Sequence, residues 1–119
     1  MNLFCFIQVQ PVHKIVYKGN MNDFFKRKSF LVFEADNHSD PYLMEQGKAL
    51  IEKSNTIVLH IDAMPSENLG NLKMLFEALR KVEVKIFYQM EYTHPKLMKI
   101  LSFIKAKEVE DLKNHFNSN

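Results

Sequence analysis

The amino-acid sequence predicts an α/β domain: a mixed sheet of about five strands, with an N-terminal hairpin ahead of a βαβαβα run. Three observations predict it. The chain has 119 residues, the size of one ordinary domain, so residues 1–119 are read as a single unit. Hydrophobic residues make up 46% and charged residues 25%, which suits a packed globule and excludes global disorder. From Phe30 onward, short runs rich in Val, Ile and Phe alternate with segments of helical spacing. That alternation is the pattern of parallel strands joined by helical crossovers.

The elements follow in order. Leu3 to Val9 and Lys14 to Tyr17 are β-rich runs separated by Gln10-Pro11. Pro11 cannot donate to a ladder, so the two runs are expected to pair as a hairpin around it and to add antiparallel edge strands. Gly19-Asn20 punctuates the chain, and Asn22 to Ser29, with its Lys26-Arg27-Lys28 run, reads as a polar, solvated loop. Phe30 to Ala35 is the next strand. Asp40-Pro41 then supplies an N-cap followed by proline at the first helical position, with Leu43, Gly47, Leu50 and Ile51 at helical spacing up to Ser54-Asn55.

Thr56 to Asp62 (TIVLHID) is nearly apolar throughout, as expected for a strand covered on both faces. Pro65-Ser66 is expected to open a helix with Leu69, Leu72, Leu75, Phe76 and Leu79 on one face. Val82 to Gln89 is another strand. Thr93 or His94 caps a helix carrying Leu97, Ile100, Leu101 and Ile104. Val109, Leu112 and Phe116 mark a last amphipathic turn, after which residues 117–119 are expected to fray.

Composition narrows function. Sixteen Lys and Arg against fourteen Asp and Glu leave a formal charge of +2, and Glu108, Glu110 and Asp111 offset the C-terminal lysines, so nucleic-acid binding is disfavoured. The lone Cys5, set in Phe4-Cys5-Phe6, excludes an intramolecular disulfide framework and a cysteine-based zinc cluster and reads as a buried strand residue. No signal-peptide pattern and no apolar run of membrane-spanning length is present, which leads to the expectation of a soluble cytoplasmic protein. There is no Gly-rich phosphate loop, no Gly-x-Ser-x-Gly elbow and no metal-ligand spacing, so no cofactor, metal or catalytic residue is assigned.

The carboxyl ends of parallel strands are where ligands of open α/β sheets bind. Polar residues cluster there: Asp36, Asn37 and His38 after Phe30–Ala35, Asp62 and then Ser66 after the central strand, and Glu91, Thr93 and His94 after Val82–Gln89. Asp36, Asp62, Ser66, Glu91 and His94 are therefore the candidate switch or ligand residues. Asp62 stands out, because a carboxylate directly after a buried strand is costly unless exposed or paired. Ser66, Thr93 and Asp40 equally suit helix capping, and His60 reads as a hydrogen-bonded core histidine. Phe24, Phe25, Tyr42, Met64, Met90 and Tyr92 fall in or beside loops, and would mark a protein-binding patch if exposed together.

From Phe30 to Leu112 the order FLVFEAD, DPYLMEQGKALIEKS, TIVLHID, PSENLGNLKMLFEALRK, VEVKIFYQM and HPKLMKILSFIKAKEV resembles a STAS domain, the module of anti-sigma-factor antagonists and sulfate-transporter tails. The resemblance implies a regulatory module whose Ser or Thr, at the helix start after the central strand, is phosphorylated to switch partner binding. Ser66 matches that position, with Gly70 as the nearby glycine, although the family's Asp-Ser-x-Gly signature is absent. The same local units also suit a flavodoxin-like three-layer sandwich, and strand order decides between the two. Asp62 to Gly70 (DAMPSENLG) further resembles the strand-end loop of nucleoside deoxyribosyltransferase-like folds, without their catalytic Glu.

The leading expectation is a non-catalytic regulatory or scaffolding module with a protein partner. The alternative is a small nucleoside- or nucleotide-directed enzyme using acidic residues at the strand ends. A homo-oligomer that buries a sheet face or edge is the third expectation.

Overall fold

The structure, a computed structural model, describes residues 1–117. Its elements are β1 (Asn2–Val9), a 3-10 turn (Val12–Lys14), α1 (Asn22–Arg27), β2 (Phe30–Asp36), α2 (Pro41–Glu52), β3 (Thr56–Ala63), α3 (Leu72–Arg80), β4 (Lys85–Met90), α4 (Pro95–Phe103), β5 (Lys107–Glu108) and α5 (Leu112–Phe116). The five strands form one sheet in the order β2-β1-β3-β4-β5, and every neighbouring pair is parallel. This is the doubly wound order of the flavodoxin-like sandwich.

Side-chain alternation along the strands builds a core on each side of the sheet. Leu3, Cys5, Ile7 and Val9 of β1 and Ile57, Leu59, Ile61 and Ala63 of β3 pack with the apolar faces of α2, α3 and α4. Phe4 and Phe6 of β1 and Val58 of β3 point the other way, toward Phe25 of α1 and Leu112 of α5. Gly47 lets α2 come close, since a Cβ there would lie 2.6 Å from Leu75 Cδ2 of α3 and 2.7 Å from the Phe33 ring of β2. Among the described residues no helix is long and apolar enough to cross a membrane.

The α/β class and most elements match the sequence reading, but the N-terminal hairpin and the mixed sheet do not. The first strand is central, with β2 and β3 parallel on either side. The stretch Lys14–Tyr17 is no strand. Its Val16 N–H donates to Gln8 Oε1 (2.9 Å) and its Val16 carbonyl accepts from Gln8 Nε2 (2.7 Å). One amide side chain thus meets the backbone bonds a ladder would have supplied, and the exposed Val12, Val16 and Tyr17 offer no burial to favour pairing.

Asn22–Ser29, expected as loop, contains α1. Phe25 anchors it, stacked on Phe4 at 4.2 Å and edge-on to Phe30 and Phe116, while Lys26 and Arg27 stay at the surface. The β5 strand was not anticipated either: its two residues are exposed and charged, which suits a short edge strand but leaves no apolar pattern. The strand expected from Val82 begins at Lys85. Val82 and Val84 instead pack partly buried against the core ahead of it. Of the segment expected to fray, residues 118–119 lie outside the described residues.

Candidate functional site

The sheet order reverses direction between β1 and β3, and an open α/β sheet has its crevice beyond the carboxyl ends of the strands at such a point. Gln10, the residue just past β1, is buried there, at 6% exposure. Its backbone N–H donates to Asn37 Oδ1 at 3.0 Å, and its carbonyl accepts from His38 Nε2 at 2.7 Å. Gln10 is thereby tied to the end of β2. Its side chain reaches the other neighbour: Gln10 Nε2 donates to Asp62 Oδ1 at 3.1 Å and to the Asp62 carbonyl at 3.3 Å. With its backbone tied to the end of β2 and its side-chain amide donating to Asp62, the buried Gln10 orients the half-buried Asp62 carboxylate.

Beside this pair opens a cleft of about 540 Å³ lined by Gln10, Lys14, Asp62, Met64, Pro65 and Tyr92. The cleft joins a fixed carboxylate, an exposed ammonium and an exposed phenol to two apolar walls. Such a mixture binds small polar molecules with an apolar part.

The other candidate residues are placed elsewhere. Asp36 Oδ1 accepts from the His38 N–H at 2.7 Å, and the Asp36 N–H donates to Ser39 Oγ at 3.0 Å, so its carboxylate serves the β2–α2 turn. Glu91 Oε1 accepts from His60 Nε2 at 2.8 Å and from Gln89 Nε2 at 3.2 Å. His60 is buried, its ring stacked 5.2 Å from that of Phe6, and among the described residues its Nδ1 has no partner. His94 caps α4. Its Nδ1 accepts from the Leu97 N–H and its Nε2 donates to the Glu67 carbonyl at 2.9 Å, which uses both ring nitrogens.

Ser66 does not begin a helix. It lies in an exposed turn closed by the Glu67 N–H donating to the Met64 carbonyl at 3.1 Å, and α3 starts only at Leu72. Leu69 buries itself within the connection, and Gly70 turns it with a φ of +56° against the Asn37 carbonyl. The helix-start position that the STAS resemblance gives to Ser66 is therefore absent. Ser66 does share a small cavity of about 190 Å³ with His94, so these two lie together.

The structure thus brings Asp62 to a cleft, joins Ser66 to His94, and leaves Asp36 and Glu91 in separate bonds. The loop aromatics divide in the same way: Phe25 is fully buried, whereas Tyr42 and Tyr92 are exposed. Gln10 and Lys14 were missed. Gln10 reads in sequence as the start of a Gln-Pro break, and only the pairing of β1 with β3 puts it on Asp62. No family model, curated protein or solved structure matches the chain.

Proposed function

We propose that the chain is a non-catalytic regulatory module that acts by binding a protein partner at the carboxyl rim of its sheet. One observation carries the reading. Asp36, Glu91 and His94 are all held in structural hydrogen bonds, while the β1–α1 loop of the same rim exposes Val12 at 66%, Val16 at 51% and Tyr17 at 87%. Acid–base catalysis needs groups that converge on one substrate atom, and exposed apolar side chains in one loop suit an interface.

The test uses the tagged full chain in cells of its source. Wild-type protein should retain a stoichiometric partner, and the triple variant Val12→Ser, Val16→Ser, Tyr17→Ser should lose it with an unchanged melting temperature. Turnover of a nucleoside or nucleotide by the purified chain, abolished by Asp62→Asn, would contradict the reading and favour the enzyme alternative.

A further inference from the structure

The cleft at the β1–β3 switch point lies on the same rim as the exposed loop of residues 12–17, which supplies it with Lys14. Gln10 is fixed through its backbone to Asn37 and His38, and in turn fixes Asp62 through Oδ1. Among the described residues no protein donor reaches Asp62 Oδ2 or Gln10 Oε1. Two acceptors on hydrogen-bonded neighbours suit a pair of neighbouring hydroxyl donors, and in the dinucleotide-binding type of doubly wound sheet a carboxylate accepts from a ribose hydroxyl. Tyr92, Met64 and Pro65 line the same cleft and offer ring and aliphatic surface to a planar heterocycle. Lys14 adds one exposed ammonium to the lining, a partner for an anion.

The phosphate count follows from what adjoins the cleft. The β1–α1 connection has no Gly-rich cradle, and α1 is six residues long, so Lys14 is the cleft's cation and no ring of backbone N–H groups surrounds a polyphosphate. A volume of about 540 Å³ is also within the range of sites for one small ligand. We infer that this cleft binds a ribonucleoside 5′-monophosphate, with its ribose hydroxyls on Asp62 and Gln10, its base against Tyr92 and its phosphate on Lys14.

The test is isothermal titration of the full chain with AMP, GMP, CMP and UMP, each beside its nucleoside, its 2′-deoxy form and inorganic phosphate. At least one monophosphate should bind. Its 2′-deoxy form should bind at least about tenfold more weakly, since a hydrogen bond to a charged group is lost. Lys14→Ala should reduce the monophosphate to the affinity of the nucleoside. Asp62→Asn keeps an acceptor for Gln10 Nε2 and should weaken binding at least about tenfold. Tyr92→Ala, at an exposed position, should weaken it without touching the fold.

No heat from any monophosphate at millimolar concentration overturns the inference. So does full competition by inorganic phosphate, or binding that neither Asp62→Asn nor Tyr92→Ala diminishes. If the nucleotide binds and is then converted, the cleft stands and the non-catalytic reading fails, so the two are separable.

Discussion

Burial acts most directly at Cys5, which lies at the middle of β1 with 1% exposure and whose thiol is pushed up from 9.0 to about 12. The sign follows from linkage. Above pH 9 the unfolded chain loses the thiol proton while the folded chain keeps it, so stability is complete below that pH and falls as pH rises toward 12. Burial and the neighbouring Glu108 raise Tyr88 and add in the same direction. The Cys5 contribution has a limiting slope of about 1.4 kcal/mol per pH unit. Urea melts should therefore show an alkaline loss that is shallower in Cys5→Ala, and native protein should resist a thiol reagent that labels the unfolded chain. Equal labelling of both states would contradict this. At the same scale, Asp62 was legible because a carboxylate ending an apolar strand has to be exposed or paired. Gln10 was not legible, because its role depends on a partner 52 positions away.

Helices α2 and α4, whose first turns carry a side-chain cap followed by proline, were read correctly. Asp40 caps α2 by accepting from the Leu43 N–H at 2.9 Å, and His94 does the same for α4. Elements defined by tertiary contacts were misread: α1 exists because Phe25 enters an aromatic cluster, and α3 starts late because Leu69 and Gly70 shape the connection before it. Gly70 gives the sharpest prediction at this scale. An added Cβ would sit 2.2 Å from the Asn37 carbonyl oxygen at a φ of +56°, so Gly70→Ala meets both a clash and backbone strain. It should cost roughly 1–3 kcal/mol. Because Asn37 also accepts from the Gln10 N–H, the variant should weaken ligand binding in the cleft as well. An unchanged denaturation midpoint would contradict the assigned backbone geometry.

For the whole molecule, strand order decides what the parts can do. Local pattern identified β2, β3 and β4 and the helices between them, yet assigned the N-terminal strand to an edge. The run Leu3 to Ile7 is apolar on both faces, which fits a strand with a core on each side. Placing β1 in the centre creates the switch point, brings Gln10 to Asp62, and turns a set of strand-end residues into one cleft with several structural caps around it. The rim then carries an apolar loop and a polar pocket side by side, as a binding module with a small-molecule input would need.

The most direct test of this account is a heteronuclear NMR titration of the full chain with the four ribonucleoside monophosphates, followed over hours. The predicted result is shifts concentrated at residues 10–14, 62–65 and 92, with the nucleotide recovered unchanged. Absence of shifts, shifts centred on another part of the sheet, or conversion of the nucleotide would contradict a non-catalytic module with its binding site at the β1–β3 switch point.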